Sequence, residues 1–346
     1  MTDVFKGADG AHVAKGGARE AQADSGVEGG TSRRNFLKCM AWAGTAVVWT
    51  LSGGVLTACR IESLAGLAGA SGALSFVQLS DTHIGFKKEP NQNVAGTLQE
   101  VIGKINSLPE APAFLLHTGD LTHLSKPEEF DTLAQILKGA KAGEVFYVPG
   151  EHDVFTDDGT EFLRRFGQGT QGRGWRSFDQ RGVHFVGLNN VLGATPGAAP
   201  GAVLMGGSEG LGNLGAEQLA WLEKDLAGLS NSTPVVVYAH VPLWSVYPQW
   251  GWATADSAQA LSLLKRFGSV TVLNGHIHQI MQKVEGNITF HTARSTAYPQ
   301  PAPGTAPAPG PVKDLPADKL RGFLGLTGAR LVEHGTRLAV TDSSLG

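Results

Sequence analysis

The chain has 346 residues, of which 42% are hydrophobic and 17% charged. It therefore holds enough apolar side chains for one large core or two modest ones, and too many for an intrinsically disordered protein. A formal net charge of -3 supplies neither a basic field for nucleic acid nor a strongly acidic tail, so partners have to be inferred from sites.

Residues 1–31 are Gly/Ala-rich, polar and without hydrophobic period, and are expected to stay unfolded. Residues 32–59 differ. Ser32-Arg33-Arg34-Asn35-Phe36-Leu37-Lys38 precedes an apolar run from Met40 to about Ala58, and Gly44, Thr45, Thr50, Ser52, Gly53 and Gly54 hold its hydrophobicity below that of a transmembrane helix. This segment resembles a twin-arginine export signal. The resemblance implies the twin-arginine translocation machinery as a partner and a periplasmic or other extracytoplasmic location. It also implies passage of an already folded protein, which allows a metal centre to be assembled before transport. Leu56-Thr57-Ala58-Cys59 is similar to a lipoprotein signal-peptidase box, which would leave Cys59 acylated and the protein anchored to the membrane. Cleavage near Leu67-Ala68-Gly69-Ala70 is the alternative. Both cysteines, Cys39 and Cys59, belong to this segment, so the exported part has no disulfide pair and relies on packing.

After a linker at 60–73, a domain is expected over 74–298. Leu74–Leu79 reads as a buried strand and is followed by a helix over about Asn93–Ser107. Phe114–His117 reads as a second strand, and Ser125-Lys126-Pro127-Glu128 as a capping box opening a helix to about Leu137. Glu144–Val148 is the third strand. Beyond it the β-α-β alternation stops. Trp175–Phe178 and Val183–Leu188 read as antiparallel strands, with His184 a structural residue among apolar neighbours. Glu217–Leu229 is helical, Pro234–Ala239 a strand, Ser257–Phe267 helical and Val270–Leu273 a strand. Ile280–Val284 and Ile288–Thr292 form a hairpin turning near Glu285-Gly286-Asn287. Residues 299–316 are dense in Pro and Ala and read as an extended surface arm, and 317–346 return as strands packing on the domain.

Metal-type ligands stand in five clusters: Asp81-Thr82-His83, Gly119-Asp120, Gly150-Glu151-His152-Asp153, His240 and Gly275-His276-Ile277-His278. All but His240 sit at or just after the end of an apolar, β-rich run, where side chains from different strands can converge on one rim. One such cluster means little, whereas five in series point to a metal centre. Neutral imidazoles with carboxylates suit Mn, Fe, Zn or Ni and disfavour a site for Mg or Ca alone.

In this order the motifs resemble those of the calcineurin-like metallophosphoesterase superfamily over about residues 75–295, most nearly its bacterial class III cyclic-nucleotide phosphodiesterase branch. The resemblance implies an α+β fold, a four-layer α/β/β/α sandwich of two mixed β-sheets flanked by helices. It implies two transition-metal ions, Mn and/or Fe with Zn as the alternative. Asp81, His83 and His278 would hold the first, Asp120 would bridge, and Glu151, His240 and His276 would hold the second. A metal-bound hydroxide would attack phosphorus in line on a small phosphorylated substrate, with His152 at the leaving group. Asp153 reads as a turn or orienting residue. The expected activity is phosphodiester hydrolysis. Alternatives are a phosphomonoesterase of the same fold and a non-catalytic metal-binding envelope protein with a degenerate site.

Two positions depart from the family pattern. Glu151 replaces the usual Asn. It either ligates, adding a negative charge that favours Fe(III), or swings away and weakens the site. His123 stands where purple acid phosphatases have a Tyr ligand and many relatives an Asp orienting the catalytic His. It is an extra ligand, a partner of His152, a substrate contact or a structural loop residue. Trp244, in the aromatic loop Trp244–Trp252, is a candidate wall of the substrate cleft or a packing residue. His291 and Arg294 are candidate phosphate contacts.

Overall fold

A computed structural model of the chain describes residues 46–52, 55–61, 74–191, 211–332 and 337–346. The paired arginines, Cys39, the alternative cleavage site and the stretch 1–31 lie outside them. In chain order the elements are β1 (Ala46–Ser52), β2 (Val55–Ile61), β3 (Ser75–Leu79), α1 (Val94–Asn106), β4 (Phe114–Thr118), α2 (Pro127–Leu137), β5 (Glu144–Val148), α3 (Thr160–Phe166), β6 (Arg176–Gln180), β7 (Val183–Leu188), α4 (Ala216–Ala227), β8 (Val235–Ala239), α5 (Ser257–Leu264), β9 (Val270–Asn274), β10 (Gln282–Glu285), β11 (Ile288–Thr292), α6 (Ala317–Phe323), β12 (Gly325–Val332) and β13 (Arg337–Ser344). The antiparallel pair β1/β2 is a sheet of its own, and the boundary expected at residue 59 falls inside β2.

Two mixed sheets make the body. The five-stranded sheet runs β13-β12-β3-β4-β5 and the six-stranded sheet β10-β11-β9-β8-β7-β6. Strands β3, β4 and β5 are parallel, as are β7, β8, β9 and β11, while β12, β13, β6 and β10 pair antiparallel at the flanks. Parallel neighbours require crossovers, and α1 and α2 supply them between β3, β4 and β5. Strand alternation then sorts side chains into layers. Phe76, Phe114, Leu116, Phe146, Phe185 and Tyr238 fill the space between the sheets. Val77, Leu79 and Leu115 turn outward to Leu98, Val101 and Phe130 of α1 and α2. On the far side Val186, Val237 and Val272 meet Leu222, Leu226 and Leu264 of α4 and α5. Three apolar seams between two sheets and two helical layers are the four-layer α/β/β/α sandwich.

Helix α1 starts where expected, with the Asn93 side chain accepting the Gly96 N–H at 3.0 Å and the buried stripe Val94, Leu98, Val101, Ile102 and Ile105 facing the sheet. Helix α2 differs by one residue. Its N-cap is Lys126, followed by Pro127, and the carboxylate that reaches back is Glu129, not Glu128. Ser125 lies outside the helix, in the left-handed region at φ 49°, with its hydroxyl 2.8 Å from the Thr156 hydroxyl.

The segment 299–316 has no helix or strand. Its first residues are pinned, since the Gln300 amide donates to the His276 carbonyl at 2.8 Å and the Gln279 amide to Pro301 at 2.7 Å. Beyond it β12 and β13 return as strands, preceded by the helix α6, which the sequence reading lacked.

Candidate metal centre

Every ligand cluster follows the carboxyl end of a parallel strand: Asp81 and His83 after β3, Asp120 after β4, Glu151 and His152 after β5, His240 after β8, and His276 and His278 after β9. The two sheets therefore point their strand ends at one rim. The loops there are bent hard. Asp81, His83, Asp120, His276 and His278 all have positive φ, at 53°, 41°, 50°, 70° and 54°, and they make up five of the eight such non-glycine residues described. Each conformation costs on the order of 1–3 kcal/mol. Bonds within the loops offset part of that. The Asp81 and His83 amides donate to Gly119 and Asp120 carbonyls at 3.0 Å, the His276 amide donates to the Asp81 carboxylate at 3.1 Å, and the Ser295 hydroxyl donates to the Asp81 carbonyl at 2.7 Å.

Close approach explains two glycines. A β-carbon on Gly119 would lie 2.4 Å from His240 Nδ1, and one on Gly150 would lie 2.1 Å from Asp120 Oδ1. Neither distance leaves room for a methyl group.

Two buried ligand groups result, Asp81/His83/Asp120/His278 and Glu151/His240/His276. In the first, His278 Nε2 is 3.2 Å from Asp81 Oδ1 and 3.2 Å from His83 Nε2. In the second, His240 Nε2 is 2.9 Å from Glu151 Oε2, and His276 Nδ1 is 3.0 Å from Glu151 Oε1. Asp120 Oδ2 stands between them, 3.4 Å from His83 Nε2 and 3.5 Å from His240 Nε2.

The tautomers show what these contacts are for. His240 Nδ1 is 2.7 Å from the Thr118 carbonyl and His278 Nδ1 is 2.6 Å from the Tyr298 carbonyl. A carbonyl only accepts, so each Nδ1 carries the proton and a neutral ring leaves Nε2 with a lone pair. Those lone pairs face carboxylate oxygens, and Glu151 Oε2 and His276 Nε2 are buried without a hydrogen-bond partner. Acceptors converging on acceptors out of water are stable only around a cation. Protons can supply that charge: burial pushes the His240 pKa down, but the Asp120 and Glu151 carboxylates outweigh it and hold the value well above the ordinary one. A metal ion does it without protonating the ligands, and the nitrogen and oxygen donors fit a dinuclear metal site.

A sequence model of the calcineurin-like phosphoesterase family matches residues 74–280, the span that holds both ligand groups. The chain belongs to the calcineurin-like phosphoesterase family. A 3′,5′-cyclic-nucleotide phosphodiesterase of Nostoc sp. is 24% identical over 231 residues, covering 65% of this chain and 79% of that protein. A glycerophosphodiester phosphodiesterase of Enterobacter lignolyticus is 23% identical over 234 residues, covering 64% and 77%. Among solved structures, a dimetal phosphatase from Danio rerio superposes with a TM-score of 0.59 at 15% identity, over 79% of this chain and 97% of that one, which shows the shared fold.

Around this calcineurin-like phosphoesterase centre, Asp153 is structural. Its carboxylate accepts the amides of Gly150, Leu121 and Thr122 at 2.9–3.0 Å and the Thr122 hydroxyl at 2.9 Å, tying the β5 loop to the β4 loop. Glu151 turns into the cluster. His123 stacks on His152, with ring centroids 5.0 Å apart and planes 16° from parallel, and its carbonyl accepts His152 Nδ1–H at 2.7 Å.

Three expected substrate contacts are not brought to the cluster. Trp244 is buried in the seam beside α4 and α5, its ring 5.1 Å from Phe290, and Trp250 and Trp252 pack edge to face within the same loop. His291 is held at both nitrogens, by Asp342 at 3.0 Å and the Gln282 amide at 3.1 Å. Arg294 donates to the Gly322 carbonyl. Conversely, Tyr298 had no signal in the sequence. Its hydroxyl is 3.2 Å from His83 Nε2 and its ring stacks on His83 at 4.9 Å, but it follows β11 in a loop with no ligand-type neighbour.

Proposed function

We propose that the protein is an exported, dinuclear-metal phosphodiesterase. The observation that carries the reading is the pair of adjacent, buried ligand groups sharing Asp120 at the convergent ends of two sheets. Asp81, His83, Asp120 and His278 would hold one cation, and Asp120, Glu151, His240 and His276 the other. Cations held there supply Lewis acidity at the phosphoryl oxygens and a water nucleophile at neutral pH. Asp120 would serve both groups from one carboxylate. Asp81, Asp120 and Glu151 bring three negative charges, and this supports Mn and/or Fe, the latter as Fe(III), ahead of Zn. Glu151 lying between His240 and His276 supports a ligand role rather than a degenerate site.

His152 donates from Nδ1 to the His123 carbonyl, leaving Nε2 to face the departing oxygen. A ring held in this way is placed to give a proton to the departing oxygen. The names of the two relatives support diester over monoester hydrolysis. The export segment Ser32–Lys38 supports a periplasmic or extracytoplasmic address, with Cys59 as the point of lipid anchoring if it is acylated. Rates on bis(p-nitrophenyl) phosphate and p-nitrophenyl phosphate test the reading. A higher kcat/KM on the diester supports it, and a higher one on the monoester makes the protein a phosphomonoesterase. Detection of the intact protein in the cytoplasm, with none beyond it, would remove the export part.

A further inference from the structure

Beneath His123, on the first turn of α2, Glu129 is a buried carboxylate, 7% exposed. Its Oε2 accepts the amides of Leu124 at 2.7 Å, His123 at 3.2 Å and Lys126 at 3.5 Å. Gly85, two residues after His83, packs against the same side chain so closely that a β-carbon there would lie 2.2 Å from Glu129 Oε1. A carboxylate in this place is more than a helix cap, because of which peptide it holds. The Leu124 N–H and the His123 carbonyl belong to one peptide group. Glu129 accepts from one end of it, and the other end accepts His152 Nδ1–H at 2.7 Å.

We propose that Glu129 is a positioning residue for the phosphoester hydrolysis inferred above, acting on His152 through the His123–Leu124 peptide. A charged acceptor on the N–H polarises the amide and makes its oxygen a stronger acceptor, so the carboxylate's influence reaches the imidazole one peptide away. The bond fixes the Nδ1–H tautomer of His152 and aims Nε2 at the leaving group. The same anchoring holds the His123 ring, whose Nδ1 is 3.4 Å from His83 Nδ1, so one carboxylate steadies two histidines of the site. Position 125, at φ 49°, lies between the Leu124 and Lys126 amides that donate to Glu129.

The test is Glu129→Gln in the full-length protein, which keeps the side chain's size and removes its charge, with Glu129→Ala as the harsher variant. Two readouts are taken: kcat and KM on bis(p-nitrophenyl) phosphate, and the His152 Nδ1–H resonance in histidine-labelled protein reloaded with diamagnetic Zn. The relay predicts a kcat lower on the order of 10-fold in Glu129→Gln, KM within about threefold, and an upfield shift of the His152 Nδ1–H signal as its hydrogen bond weakens. An unchanged kcat with an unchanged resonance overturns it. So does a fall in kcat with the resonance in place, because that is general loosening rather than action through the peptide. If the parent hydrolyses no phosphoester, the function reading fails separately and the resonance alone decides the relay: a shift supports it and no shift overturns it.

Discussion

Gly119→Ala probes the assembly of the centre through one methyl group. Gly119 has φ +92°, where an L side chain costs about 1–2 kcal/mol. The new β-carbon would sit 2.4 Å from His240 Nδ1 and 2.8 Å from the Gly150 amide nitrogen. Ordinary contact is about 3.5 Å, so the His240 ring has to retreat by about 1 Å, since the backbone of Gly150 is held by Asp153. That retreat breaks the 2.7 Å bond from His240 Nδ1 to the Thr118 carbonyl, at a further cost of about 1–3 kcal/mol for a buried group. A total near 3 kcal/mol lowers Tm by about 6–12 °C for a domain of this size. A displacement of 1 Å is also about half of a metal–nitrogen bond of about 2.1 Å, so the second cation is lost with the fold intact. Calorimetry in chelator gives the stability without the metal's contribution, and elemental analysis after reloading gives the occupancy. A variant with the parent's Tm and two metals would refute the packing argument.

His152→Ala should lower turnover on the order of 100-fold while both metals stay bound; measuring kcat and metal content on one preparation checks this, and loss of metal first would make His152 a ligand. Glu151→Asn removes one of three carboxylates and shortens the side chain, so affinity at the second group should fall on the order of 10-fold and the Fe/Mn ratio after growth in both metals should drop. His184 gives a stability signal apart from the centre. It lies 2.9 Å from both Asp179 and Asp225; burial lowers its pKa, but hydrogen bonds to Asp225 and then Asp179 raise it above the ordinary 6.5. A raised folded-state pKa stabilises fully below the unfolded value, and that stability is lost as pH rises through the folded value. Tm should therefore fall above about pH 6.5, and His184→Gln should flatten that decline; an equal decline in the variant would contradict the assignment.

The body of the fold was legible because five of the seven parallel strands are short apolar runs with ligands placed just after them. Val235–Ala239 running into His240 and Val270–Asn274 running into His276 locate the rim without any tertiary information. Ser125 as an N-cap was misplaced because Glu128 and Glu129 are adjacent, and three amides converging on Glu129 decide which one reaches back. Trp244 and His291 illustrate a different limit. An exposed aromatic wall and a core aromatic have the same local sequence, and the partner that occupies His291 is Asp342, 51 positions along the chain. Carbonyls that set tautomers, at Thr118 and Tyr298, carry no side-chain signature at all. The α6 helix has seven residues, about two turns, after Pro316, too brief for a period to stand out against the Pro/Ala-rich arm.

Elemental analysis of the purified full-length protein, joined to hydrolysis of bis(p-nitrophenyl) phosphate before and after chelation and reloading with Mn or Fe, tests the shared-carboxylate centre most directly. Two metals per chain are predicted, with turnover lost on chelation and restored on reloading, and with both occupancies reduced together by Asp120→Asn because that carboxylate serves both groups. One metal per chain, or turnover that survives complete removal of metal, would contradict the account.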